Sequence, residues 1–336
     1  MHTEKYADSM AFPVTQSDFV RHYTSGVDPE IGMLLGVSHV TAAPPAGSFL
    51  EMQKAMEAIL QTQKALLNSS QKPHFVYTRG DMDKPGKKIV LGLQCPPKNA
   101  DAETLMEAGI CIMNPGGYSE PTEFGSGFAN QKGHLTKKGV DLVRECARLG
   151  MIVDLSHCSH RTARDILTLI RDERLPVPVM ASHGGCHAVY PHPRNLPDDV
   201  LEGVAERGGV VGIVTMTFFL HEKDNTLVPF GRHVQHALDV CGKDAVCVGS
   251  DSIYRNLSDK ENWENLEFLG DLLVGDKKDD PFQVRYPERS PELIAQGEFT
   301  MELLERRLVM DGVEESVIDK VVGDNFYQFL KHSLPE

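Results

Sequence analysis

The stretch Met151–Asn195 reads MIVDLSHCSHRTARDILTLIRDERLPVPVMASHGGCHAVYPHPRN. Met151–Ser156 and Val177–Ser182 are apolar runs of strand length, and each is followed by histidine, at His157 and His183. The segment between them, His160–Arg171, has the apolar spacing of an amphipathic helix. A buried strand cannot cheaply end in an imidazole unless its nitrogens have partners. A strand–helix–strand unit sets the two histidines side by side at one rim of a parallel sheet. In α/β proteins, metal and catalytic sites sit at that rim.

The same rhythm extends through the chain. Strand patterns fall at Leu34–Thr41, Phe75–Thr78, Ile89–Gln94, Ile110–Asn114, Val210–Thr215 and Ala245–Ser250, besides the two above. They are apolar on both faces, as in a covered parallel sheet. Helical patterns fit Ser48–Leu67, Asp101–Ala108, Thr136–Leu149, Pro197–Arg207, Arg232–Cys241, Pro291–Met310 and Glu314–Leu334. Thr136 has the character of an N-cap, and Gly150 of a helix stop. Repeated strand–helix units predict an α/β chain folded as a (β/α)8 TIM barrel spanning 1–336 as one domain. An open doubly wound sheet would be expected to carry GxGxxG after its first strand, and none is present. Two insertions break the rhythm, at about 115–133 and 254–289. The first is rich in Gly, Ser and Asn, and the second carries the single tryptophan, Trp263. Both read as substrate-covering or subunit-contact loops, and the second equally as a disordered insertion.

Composition narrows the classes. The net charge of −14 disfavours nucleic acid and anionic membrane surfaces. No apolar run reaches about 18 residues, so no membrane span is expected. The opening MHTEKYADSMAF lacks a basic segment followed by an apolar one, so no signal peptide is expected. Seven cysteines without paired spacing predict free thiols and a cytoplasmic setting.

The strand ends supply the candidate chemistry: Gln94, Asn114, His157, His183, Thr215 and Asp251. Two imidazoles and a carboxylate make a plausible ligand set for Zn²⁺, which makes water nucleophilic near neutral pH. A single strand-end histidine is more often a hydrogen-bonded structural residue, but two on successive strands favour a site. Asp251 alone could be a helix cap; within a barrel it is a metal ligand or general base. Arg194, close after His183, is a candidate clamp for a substrate carboxylate. His160, His187 and His192 read as supporting or surface residues. Cys158 and Cys186 lie near the histidines, and a nucleophilic role for either would need an activating base.

Taken together and in order, GHLTKKGVDLVRECARLGMIVDLSHCS, PVMASH, HPRNLPDDVL and VGSD resemble the membrane (renal) dipeptidases, peptidase family M19 of the amidohydrolase superfamily. The resemblance implies a zinc-bearing (β/α)8 barrel, often a homodimer, that hydrolyses dipeptides. It implies that His157 and His183 bind one zinc, that Arg194 holds the substrate carboxylate, and that Asp251 binds metal and handles a proton. The sequence also departs from the family. ADSMAFP stands where the family has His-x-Asp, with Met10 and Phe12 at the ligand positions. His2-Thr3-Glu4 is the nearest His-x-acid pair. Gln94 replaces a bridging glutamate, and Asn114 replaces a substrate-polarising histidine.

The expectation is a metallohydrolase with one zinc per chain acting on a dipeptide or small carboxylate-bearing amide. Gln94 or Asn114 would donate to the oxyanion, and Asn114 would also touch substrate. Two alternatives follow from the altered ligands. One is a barrel repurposed for non-hydrolytic chemistry such as decarboxylation or elimination, with or without metal, and the other is a non-catalytic binding protein.

Overall fold

A computed structural model describes residues 6–9, 36–39, 52–67, 73–86, 88–94, 96–116, 122–224, 226–251 and 301–336. Its centre is a curled, wholly parallel sheet. The strands are β1 (Gly36–His39), β2 (His74–Phe75), β3 (Lys88–Leu93), β4 (Ile110–Met113), β5 (Ile152–Asp154), β6 (Val179–Gly184), β7 (Val211–Ile213) and β8 (Val246–Val248). They are hydrogen-bonded in the order β1-β3-β4-β5-β6-β7-β8, with β2 paired to β3 off that path. Registers such as Val153 opposite Val179 and Val211 opposite Val246 align the C-terminal ends of β5 to β8 along one rim.

Strands β3 to β8 are buried along their whole length. Their period-two alternation divides the core into two layers. Leu91, Leu93, Met113, Val153 and Val179 pack outward with the helices. Val90, Ile112, Ile152, Met180 and Cys247 turn inward. Phe326, Phe329 and Leu330 of the C-terminal helix Asn325–Ser333 join the inward set, near the start of the strands. The inner layer is therefore closed at the N-terminal end of the sheet, and the opposite rim is left for chemistry.

The helices form where their signals place them. In Lys137–Leu149, Thr136 Oγ1 accepts the Gly139 N–H at 3.1 Å, and Gly150 ends the helix at φ 73°. Its stripe Leu142, Val143, Cys146 and Ala147 faces the core. In His160–Glu173, Ser159 Oγ accepts the Thr162 N–H, and Ala163, Ile166 and Ile170 are buried.

Three details differ from the sequence reading. The expected strand Phe75–Thr78 shrinks to two residues because Asp81 captures the N–H groups of Tyr77 and Thr78 at 3.0 and 2.9 Å. The capture bends the chain into the 3₁₀ turn Arg79–Asp83. Tyr6–Ser9, assigned to no element, runs beside β8, with Ser9 N–H donating to Val248 C=O at 2.9 Å. The continuous helix expected over Glu314–Leu334 is Glu315–Asp319, a π turn at Lys320–Asp324, and Asn325–Ser333. The 254–289 insertion, Trp263 and the first half of Pro291–Met310 lie outside the described residues. No helix among the described residues is long and apolar enough to cross a membrane.

Gly212 of β7 shows how closely the inner layer is built. A Cβ there would collide with the Ser182 carbonyl oxygen and the Ser9 hydroxyl. The Ser9 hydroxyl itself lies against the carbonyls of Ser182 and Val248. Gly212→Ala should therefore lower the urea-unfolding free energy by about 1–3 kcal/mol, the cost typical of overpacking. An unchanged midpoint would show that the inner layer has room to give.

Candidate active site

Each site residue is held by the turn that follows its strand. After β5, Cys158 N–H donates to Leu155 C=O at 3.2 Å, closing a β-turn with His157 in third place at φ 64°. Glycine usually takes that position, and a larger residue there costs of order 1 kcal/mol or more. Asp251, just past β8, has φ 52°. Of the four described non-glycine residues at positive φ, two are therefore candidate site residues.

On β6 the pairing with β7 shifts register between Ala181 and Gly184. In a regular strand, Ser182 and His183 would point to opposite faces. At the irregularity they meet, with Ser182 Oγ 2.7 Å from His183 Nδ1.

These turns bring four predicted residues together. His157 Nε2 and His183 Nε2 are 2.8 Å apart. Gln94 Nε2 lies 3.4 Å from His183 Nε2, and Asp251 Oδ2 lies 3.8 Å from the same atom. All four side chains are buried. Gln94 Oε1 is enclosed and has no hydrogen-bond partner among the described residues. Burial pushes the Asp251 carboxyl up to about 7; Arg194 draws it down and Asp8 pushes it up.

Arg194 comes from a closed loop. Leu196 N–H donates to Gly185 C=O, and His187 N–H donates to Leu196 C=O, at 3.0 and 2.9 Å. Arg194 is 1 % exposed, and its guanidinium carbon stands 5.7 Å from the centre of the Phe219 ring. Both neighbours are fastened. Asn195 Nδ2 donates to the carbonyls of Tyr190 and Phe219, His160 Nε2 donates to Asn195 C=O, and His192 Nδ1 accepts the Arg194 N–H. His160 and His192 thus support the arginine, and His187 packs edge-on against His160 at 4.9 Å.

Asn114 and Thr215 are turned toward the backbone. Asn114 Nδ2 donates to Ser156 C=O and its Oδ1 accepts the Gly116 N–H at 2.9 Å, which fastens the end of β4 to the His157 turn. Thr215 Oγ1 donates to Ser250 C=O at 2.8 Å, next to Asp251. Burial pushes the thiols of Cys158 and Cys186 up, away from the thiolate form. Described residues of the first insertion pack beside the His157 turn: Ser159 N–H donates to Ser126 C=O, and Phe128 lies 6.0 Å from the His157 ring.

The family model described as Membrane dipeptidase (Peptidase family M19) matches residues 118–273. Dipeptidase verJ of Clonostachys rogersoniana is 37% identical over 134 residues, which make up 40% of this chain and 32% of that protein. Over residues 118–273 the chain is similar to the membrane dipeptidases. The alignment with verJ therefore spans about a third of that relative's length. Among solved structures, an amidohydrolase from Pseudomonas aeruginosa superposes with TM-score 0.72 at 20% identity, over 99% of this chain and 97% of its own. A metallo peptidase from Rhodobacter sphaeroides, liganded with a phosphinate mimic of the dipeptide L-Ala-D-Ala, gives 0.70 at 20% identity, over 99% and 100%. At such identities the likeness establishes the α/β barrel fold.

The M19 match contains His157, His183, Arg194 and Asp251, whereas Gln94 and Asn114 precede it. Met10, Phe12 and His2-Thr3-Glu4 lie outside the described residues.

Sequence reasoning missed several supports. Asp154 and Asp8 are fully buried carboxylates, and Asp8 accepts from the N–H and hydroxyl of Ser250, beside Asp251. Phe128, Phe219 and His233 were also missed. The lone acidic residue in the apolar run MIVDLS was the available signal for Asp154.

His233 backs the arginine loop. Its Nδ1 accepts the Cys186 N–H at 2.8 Å and its Nε2 donates to Leu220 C=O at 3.0 Å, so the ring is neutral. Burial lowers its pKa from 6.5 to about 4. Between those values the unfolded chain binds a proton that the folded chain refuses, so stability falls as pH drops through that window. The loss should approach about 3 kcal/mol by pH 4. Urea midpoints of His233→Gln measured from pH 7 to 4.5 should fall less steeply than those of the parent; parallel curves would sink this assignment.

Proposed function

We propose that this chain is a metal-dependent hydrolase of dipeptides or small carboxylate-bearing amides, working with one Zn²⁺. The observation that carries this reading is the convergence of His157 Nε2 and His183 Nε2 to 2.8 Å at the C-terminal rim. Two nitrogens at Zn–N distances in a tetrahedral site stand about 3.3 Å apart, so the pair needs only a small opening to fit. Asp251 would complete a two-nitrogen, one-carboxylate set, although its oxygen stands 3.8 Å from His183. Among the described residues no three such groups are already drawn together tightly enough to hold a metal. A single ion suits Gln94, because a neutral amide is a poor bridge between two dications.

Zn²⁺ bound there supplies Lewis acidity and makes water nucleophilic near neutral pH. The chain's own residues do the rest. Arg194 binds the substrate carboxylate and sets its distance from the histidines. Asp251 Oδ2 receives the proton of the attacking water and returns it to the leaving amine. Gln94 donates from Nε2 to the developing oxyanion. Asn114, bonded to the backbone at both ends of its amide, holds the His157 turn. Phe128 and the first insertion exclude bulk water.

The test is elemental analysis of protein purified without added metal, beside the double variant His157→Ala, His183→Ala, with turnover of a dipeptide panel that includes L-Ala-D-Ala. The expected result is about one zinc per chain, absent from the double variant, with hydrolysis tracking the metal. Two zinc ions per chain would restore an ordinary binuclear dipeptidase. No metal in either protein would sink the hydrolase.

A further inference from the structure

Asp154 is one hydroxyl away from His183, and its hydrogen bonds determine what His183 presents at the site. Oδ1 accepts the N–H of Ser156 at 3.0 Å and the N–H of Ser182 at 2.8 Å. Oδ2 accepts the Ser182 hydroxyl at 2.6 Å. Ser182 Oγ is also 2.7 Å from His183 Nδ1 and 3.1 Å from Ser156 Oγ, and Ser156 Oγ accepts the His183 N–H at 2.9 Å. All four side chains are buried.

With Asp154 ionised and the imidazole neutral, a count of hydrogens gives a single arrangement. Ser182 has one hydroxyl hydrogen, and a carboxylate oxygen at 2.6 Å claims it, because an ionised carboxylate can only accept. Ser182 Oγ then has only lone pairs left for its other neighbours. His183 Nδ1 must carry a hydrogen to face it. A neutral imidazole with hydrogen on Nδ1 has a bare lone pair on Nε2. That is the atom 2.8 Å from His157, 3.4 Å from Gln94 and 3.8 Å from Asp251.

We infer that Asp154, acting through the Ser182 hydroxyl, is the positioning residue that locks His183 in the Nδ1–H tautomer and so keeps its Nε2 an acceptor at the site. The relay His183 Nδ1–H to Ser182 Oγ–H to Asp154 Oδ2 extends by one hydroxyl the carboxylate–histidine pairing that commonly supports metal-binding imidazoles. The same carboxylate ties the turn bearing His157 to the strand bearing His183, so one group orients both rings. The inference rests on the hydrolase reading for its purpose, but the tautomer can be tested without it.

The experiment compares the parent with Asp154→Asn, Ser182→Ala and Ser182→Thr, each first checked for folding by circular dichroism. Long-range ¹⁵N–¹H correlation spectra of the metal-free proteins read the His183 tautomer. Competition with a chromophoric chelator reads Zn²⁺ affinity. The parent should show Nδ1–H. In Asp154→Asn the amide can donate to Ser182, whose hydroxyl then donates to Nδ1, moving the ring hydrogen to Nε2; zinc affinity should fall roughly 10–100-fold. Ser182→Ala should release the ring to a mixture of tautomers, and Ser182→Thr should restore Nδ1–H. If Asp154→Asn does not fold, the Ala–Thr pair decides. An Nε2–H parent, or a folded Asp154→Asn with an unchanged tautomer, overturns the relay, as do identical tautomer populations in Ser182→Ala and Ser182→Thr. A parent that shows the Nδ1–H tautomer but binds no zinc supports the relay and overturns the metal reading alone.

Discussion

The rim of this barrel depends on one buried carboxylate. Taking Asp154 out of water costs several kcal/mol unless its oxygens are met by donors, and the donors come from two separate strand ends. Ser156 belongs to the turn that presents His157, and Ser182 to the irregular step of β6 that presents His183. Satisfying the charge and aligning the imidazoles are therefore the same event. A second carboxylate repeats the device on the other side, where Asp8 gathers the N–H and hydroxyl of Ser250 next to Asp251. The hydrophobic layers stabilise the barrel as a whole. These two anionic knots set the directions of the side chains at its mouth.

The layers also explain why the candidate site is at one end only. Val90, Ile112, Ile152 and Met180 fill the interior with Phe326, Phe329 and Leu330 near the strand starts. Further along, small and polar residues replace them: Ser9, Gly212, Ser182, Gly249. Backbone groups approach there so closely that no Cβ fits at Gly212. The interior thus passes from dry packing to a polar lattice within one strand length, and Gln94, His183 and Asp251 sit where that lattice meets the rim.

Much of this was legible in the sequence because the strands are short, apolar and separated by capped helices. The Thr136 cap, the Gly150 stop and both Ser-His strand ends follow from local chemistry. What escaped had no local signature. Tyr6–Ser9 is too short and polar to read as a strand, and its place beside β8 depends on backbone groups about 240 residues away. Phe75–Thr78 has strand composition, but Asp81 outcompetes the ladder for its N–H groups. At the site, residue type predicted which side chains gather but not what each one bonds. Asn114 stands at a strand end like Gln94, yet a carbonyl and an N–H close at hand occupy its amide.

His157 holds a left-handed backbone conformation that glycine adopts more cheaply, and the turn closes around it nonetheless. Selection for thermal stability alone would push this position toward glycine, and Asp251 toward asparagine or glycine by the same argument. Those replacements would relax the backbone while removing an imidazole and a carboxylate from the rim. A lineage freed from function would thus lose these two residues early, with a gain in stability to speed the loss. The two side chains therefore stand at the rim at a conformational cost that core packing does not require.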